Sequence, residues 1–154
     1  MDKKPLKRHK SLQPLSREHH HNLLLSWKIR TGISKGVSIV RIRAYADWFY
    51  TNHILPHFNI EEAYVFPVLG EDHELVKRAL TEHRRIKRLF TEAPNDAVTL
   101  NKIEEEIEKH VRFEERILFP EIQLIATEAQ MEAIDKIHNP EGAFVDKLDD
   151  EFWR

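Results

Sequence analysis

The chain has 154 residues, 41% of them hydrophobic, and a net charge of -2 with histidine neutral, which is the length of one domain with apolar side chains enough for a core. Lys and Arg number 24 against 26 Asp and Glu, so no basic excess recruits nucleic acid or an acidic membrane surface. There is no cysteine, which excludes disulfides, thiolate metal sites and cysteine nucleophiles.

Residues 1–11 read as a polar, flexible segment. The basic start "MDKKPLKRHKSLQP" lacks the apolar stretch of a signal peptide, and no apolar run reaches membrane-spanning length. A cytoplasmic location is the expectation. Pro14 suits the first turn of a helix, and "LSREHHHNLLLSWKIR" reads as the first one. Gly32 and Gly36 mark a turn region. The second helix runs from about Val37 to Leu69, with Ile42, Tyr45, Ala46, Phe49, His53, His57, Ile60, Glu61 and Tyr64 on one face, and Gly70 ends it. A third spans about Asp72 to Phe90, with Val76, Ala79, Leu80, His83, Ile86 and Phe90 inward. "EAPND" (92–96) is a loop. The fourth helix carries Leu100, Ile103, Ile107, His110, Glu114, Ile117 and Leu118, a stripe at 3-4 spacing. The tail from Thr127 to Arg154 holds one or two shorter helices interrupted by "NPEG" (139–142).

Only 4 glycines occur, no strand-like alternation appears, and the loops are mostly short. The expected fold is therefore all-α: an antiparallel up-down four-helix bundle over residues 12–126, with a helical extension, 127–154, packed on it.

The informative feature is where polar residues interrupt the apolar stripes. The chain has 10 histidines, and it writes "HFNIEEAYVFP" and later "HVRFEERILFP". In each, a glutamate comes one helical turn after a histidine, on the same face: His57 with Glu61, His110 with Glu114. A buried carboxylate is costly unless it is paired or bound to a metal. His83 on the third helix and a histidine of "REHHHN" on the first complete a converging set of four imidazoles and two carboxylates. Such donors suit iron, and also manganese or zinc. His57, His83 and His110 share one depth in the bundle, judged by their distances from the connecting turns at about 1.5 Å per residue. The first helix matches that depth only if it continues past Gly32.

Some assignments stay open. His19 and His20 are alternatives for the first-helix ligand; His21 lies off the face set by Leu15, Leu23 and Trp27. His53, one turn before His57 and beyond Pro56, is a possible additional ligand whose reach depends on the kink at the proline. Glu62 and Glu115 point off the stripe, either solvated or holding a ligand imidazole N–H. His73 reads as a helix-start or surface residue and His138 as a loop residue. Phe66 and Phe119 belong to the core, Pro67 and Pro120 shape or end the ligand-bearing segments, and "DKLDDEFW" reads as a solvated helix with an apolar edge.

The motifs "EHH", "HFNIEEAYVFP", "TEHRRIKRLF" and "HVRFEERILFP" make residues 12–125 resemble the hemerythrin-like, or HHE cation-binding, family. The resemblance implies a four-helix bundle with pseudo-twofold character holding a non-haem di-iron centre with oxo or hydroxo and carboxylate bridges. It implies His57, His83 and His110 as terminal ligands and Glu61 and Glu114 as bridges, with zinc or manganese as substitutes in a purified sample. The chain departs from the oxygen carriers of that family: four residues before and after His83 stand Ala79 and Lys87, which leaves a coordination position open. The function expected is binding of O2, NO or a related small ligand in sensing, storage, iron handling or stress response, with no catalytic residue assigned. The alternatives are a di-iron redox enzyme, reducing nitric oxide or peroxide or oxidising ferrous iron, and a purely structural metal site. Partners would be the diatomic ligand and a separate redox or signalling protein, with the chain a monomer or homodimer.

Overall fold

The computed structural model describes residues 7–137 and 150–154. Among them every regular element is helical and no strand occurs. Helix α1 is Gln13–Ser34. Helix α2 is composite: Ile39–Phe49, a π turn at Tyr50–Ile54, Leu55–Ile60, a second π turn at Glu61–Val65 and a closing 3-10 turn at Phe66–Val68. Helix α3 is Glu74–Thr91. Helix α4 joins Ala97–Phe113, a π turn at Glu114–Leu118 and Phe119–Ile125. Helix α5 is Glu128–Ile137. The "NPEG" interruption and His138 lie outside the described residues.

Local chemistry explains the boundaries. Ser38, His73 and Asp96 each accept a backbone N–H of the next turn, from Arg41, Leu75 and Thr99 respectively, so α2, α3 and α4 all begin at a capping side chain. Gly36 and Gly70 hold positive φ values of 72° and 91° in the turns after α1 and α2, a conformation glycine adopts without steric cost. Of the N-terminal segment, Lys7 to Ser11 are described; Arg8 and the His9 N–H donate to the Gln123 side chain, whose amide donates to the Lys7 carbonyl.

Gly32 does not end α1; the helix runs two residues further and the turn falls at Gly36. Gly32 is instead a close-approach position. A Cβ there would stand 2.7 Å from Cε2 of Phe152 and 3.0 Å from Cδ1 of Ile42. Alanine gains about 1 kcal/mol in helix propensity, but overpacking a filled core costs typically about 1–3 kcal/mol. The Phe152 ring is backed by Tyr45 and Trp153, at centroid distances of 5.6 and 5.2 Å, and cannot yield freely. Gly32→Ala is therefore expected to lower the urea midpoint without changing the slope; a raised midpoint would contradict this packing.

Among the described residues, three prolines beyond the first turn of a helix share one device. Pro56, Pro67 and Pro120 each lie two residues beyond the end of a π turn. A proline lacks the N–H and crowds the carbonyl of the preceding turn; the wider i→i+5 turn relieves both. Accordingly α4 continues through Pro120 to Ile125 rather than ending there. The extra residue in each π turn also rotates the residues C-terminal to it about the helix axis. Tyr64 and Ile117, assigned to the inner stripes by regular 3-4 spacing, are 45% and 46% exposed. Val65 and Phe66, and likewise Leu118 and Phe119, take the inner face instead.

The core is in two parts. One gathers Leu25, Ile29, Ile42, Phe49, Phe58, Ile86, Ile103 and Ile107 with Phe152 and Trp153. The other gathers Leu12, Leu15, Val65, Phe66, Ala79, Leu118, Phe119 and Ile134. Along α1, α2, α3 and α4 alike, buried His and Glu residues stand where one cluster gives way to the other. The C-terminus departs from the expected solvated helix. Asp150–Arg154 is described and forms a turn, and Phe152 and Trp153 are buried in the first cluster. Residues 146–149 of that stretch lie outside the described residues.

Candidate metal centre

The α1 face that meets the core is Leu15, His19, Asn22, Leu25, Ser26, Ile29 and Gly32. This settles which first-helix histidine faces inward. His19 is 1% exposed, whereas His20 is exposed and lies beside His21 on the outer side. Leu24 and Trp27, one turn and two turns beyond His20, are themselves exposed. His53 also stays outside the cluster, packed on the rings of Trp48 and Phe49 at 5.2 and 5.1 Å. The π turn at Tyr50–Ile54 separates its face from that of His57.

Six side chains converge: His19 from α1, His57 and Glu61 from α2, His83 from α3, His110 and Glu114 from α4. They form two groups, His19, His57, Glu61 and Glu114, and Glu61, His83, His110 and Glu114. Each residue offers one ligand atom within 4.8 Å of the others, all are buried, and both glutamates belong to both groups. Each group could hold a metal ion.

The imidazoles present Nε2 inward. His57 Nε2 is 3.1 Å from His19 Nε2 and 3.3 Å from Glu61 Oε1. His83 Nε2 is 3.1 Å from His110 Nε2 and 3.2 Å from the same Glu61 oxygen. Glu114 Oε1 is 3.1 Å from His19 Nε2 and 3.0 Å from His110 Nε2. Donors about 2.1 Å from a shared ion sit roughly 3.0 Å apart at right angles and about 3.4 Å apart at a tetrahedral angle. The observed separations fall in that range. Both Glu61 oxygens and Glu114 Oε2 are buried and accept no hydrogen bond, an arrangement that is costly for carboxylates and suits them as metal donors.

Outside this shell stand four more carboxylates. Glu18 accepts from His57 Nδ1, Glu62 from His83 Nδ1 at 3.0 Å, and Glu82 from His110 Nδ1 at 2.8 Å. Glu115 Oε2 is 3.5 Å from His19 Nδ1, beyond hydrogen-bond geometry, and accepts from Ser16 Oγ at 2.9 Å. Of the two alternatives, Glu62 thus holds an imidazole N–H, whereas Glu115 lies beside His19 without a hydrogen bond to it. Spacing does not single out Glu18 and Glu82, although each directly precedes its helix's buried histidine, in "REHH" and "TEHR". The halves correspond residue for residue: Glu18–His19 with Glu82–His83, and His57, Glu61, Glu62, Phe66 and Pro67 with His110, Glu114, Glu115, Phe119 and Pro120. Phe119 stacks on His19 at 5.3 Å, as Phe66 leans on His83 at 5.3 Å.

Electrostatics reflect the packing. Burial alone would depress the His110 pKa, but the adjoining Glu114 carboxylate outweighs it and the group is pushed up to about 10. His57 is likewise held well above its usual value despite burial, chiefly by Glu61 and Glu18. Burial opposes ionisation of Glu114, yet His110 and His19 hold it well below the ordinary carboxylate range. In the metal-free protein the neighbouring carboxylates thus raise the proton affinity of His57 and His110. A raised folded-state pKa stabilises fully below the unfolded value and is lost as pH rises through the folded one. The metal-free protein is therefore expected to lose stability as pH climbs from about 6.5 toward about 10. Urea denaturation in chelator across that window reads this out, and a flat profile would contradict it.

Comparison with protein-family models, with curated proteins and with solved structures gives no match.

Proposed function

We propose that this chain is a hemerythrin-like protein whose inner His and Glu residues bind two iron ions, with O2, NO or a related small molecule as exogenous ligand. The observation that carries the reading is that two buried four-residue donor groups share Glu61 and Glu114. Sharing is what two carboxylate-bridged ions require, and a single-ion site has no use for it. Mixed imidazole and carboxylate donors without thiolate suit iron, with manganese and zinc as competitors.

In this reading His19 and His57 hold one ion, His83 and His110 the other, and Glu61 and Glu114 bridge them. The helices carrying them form an antiparallel up-down bundle, in which cofactor sites are built from inward side chains of facing helices. When bound, the ions supply Lewis acidity and one-electron chemistry. The protein supplies a dry, aromatic-walled surround, with Phe58 face to face on His83 at a ring separation of 3.7 Å. Four protein donors per ion leave coordination positions for a small ligand, which favours ligand binding over a closed structural site. No described helix is long and apolar enough to cross a membrane, and the reading places the protein in the cytoplasm with a separate redox or signalling partner.

Anaerobic loading with ferrous iron and then exposure to air tests the proposal. The expected result is a ferric, oxo-bridged absorption pattern that reductant bleaches and air restores. Iron uptake without any air- or NO-dependent spectral change would overturn the small-ligand reading. Steady consumption of NO or peroxide with reductant would move the protein to the enzyme alternative.

A further inference from the structure

The outer carboxylates have an order that the inner ligands do not reveal. Each belongs to one helix and faces an imidazole of the next, three of them through a hydrogen bond from Nδ1. Glu18 on α1 reaches His57 on α2, and Glu62 on α2 reaches His83 on α3. Glu82 on α3 reaches His110 on α4, and Glu115 on α4 faces His19 on α1. The sequence of contacts closes on itself. Each link crosses a different interface of α1–α4, and none lies within one helix.

We infer that Glu18, Glu62, Glu82 and Glu115 form a closed carboxylate ring that presets the metal site before any ion binds. These are positioning residues, and the inference rests on the two-metal reading above. An ionised carboxylate only accepts hydrogen bonds, so Nδ1 of His57, His83 and His110 carries the hydrogen. The metal-free rings are thereby aimed with Nε2 at the centre, the atom both donor groups use. The ring also ties helix to helix at one depth, which keeps donors from four separate helices within reach of one another.

Cations brace three of its members from outside. Arg78 stands 3.1 Å from Glu82, Lys87 3.8 Å from Glu62 and Arg8 3.7 Å from Glu115. The inner carboxylates alone would favour the hydrogen on Nε2, the atom a metal needs free. Glu61 and Glu114 face Nε2, and only the outer groups face Nδ1.

The test uses the full chain, with ferrous iron added anaerobically against a competing chelator, and with histidine-labelled NMR of the metal-free protein. Outer partners of metal-bound imidazoles typically contribute about 10–100-fold to metal affinity. Glu82→Gln and Glu18→Gln are each expected to lower iron affinity by that factor while two ions still bind at saturation. The Glu18 side chain is 40% exposed, so Glu18→Gln is the variant least able to disturb folding. In the metal-free wild type, His57, His83 and His110 should give slowly exchanging Nδ1–H resonances. Glu18→Gln should alter the His57 signal alone, and Glu82→Gln the His110 signal alone. Unchanged affinity in both variants, or rapid exchange at all three rings in the wild type, would overturn the ring. A wild type that shows the protected resonances but takes up no iron leaves the ring standing and refutes the metal reading instead.

Discussion

Glu114→Ala is expected to unfold the metal-free protein more readily by about 3–5 kcal/mol, the usual cost of removing one partner from a buried charge pair. The reason is what remains. Glu114 is fully buried and faces both His19 and His110 through Oε1, at 3.1 and 3.0 Å. Without it those two imidazoles are left with no inner carboxylate but Glu61, whose Oε2 lies 4.0 Å from His19. The same truncation removes a donor from both groups at once, so binding of both ions should fail, not of one. Loss of metal then removes the further stabilisation that ligand binding gives the native state, about 2.7 kcal/mol at a hundredfold excess over Kd. Urea denaturation with and without chelator separates the two effects. Retention of two tightly bound ions would refute the sharing of Glu114.

Phe152→Ala is expected to cost about 3–5 kcal/mol, or roughly 6–20 °C in Tm for a chain of this size, while metal stoichiometry stays unchanged. The ring fills the space over Gly32 and meets Tyr45 and Trp153 edge to face. Lys28 ties this end together, with its ammonium 3.9 Å from the Trp153 ring centroid and donating to the Tyr45 hydroxyl at 2.8 Å. The Lys35 ammonium donates to the Trp153 carbonyl at 3.0 Å. The effect should therefore appear as lowered stability of one end of the protein. Differential scanning calorimetry paired with metal analysis reads both quantities. A Tm within a degree of the wild type would mean that the C-terminal residues do not seal the core.

Much of the site is readable from spacing. The buried His and Glu residues stand out because they interrupt stripes that are otherwise apolar, and the i, i+4 relation puts each glutamate on the face of its histidine. What spacing misses has a common physical cause. Regular periodicity assumes one helical pitch, and the π turns at Glu61–Val65 and Glu114–Leu118 break it, so Tyr64 and Ile117 turn outward where a regular helix would bury them. The choice between His19 and His20 turns on which leucines of "HHHNLLLSW" face inward, and that face is set by tertiary packing against α4. Glu18 and Glu82 are hidden because glutamates at the edge of a helix's buried face are common; only their position directly before the buried histidines marks them. The burial of Phe152 depends on a glycine far away in sequence, at position 32, which no local pattern encodes.

In the proposed reading Glu61 and Glu114 are shared by two ions. Elemental analysis of the full chain, reconstituted anaerobically with ferrous iron and passed through a desalting column, tests it most directly. The expected result is two irons per chain in the wild type and neither retained in Glu61→Ala or Glu114→Ala. One ion per chain in the wild type, or none, would contradict it.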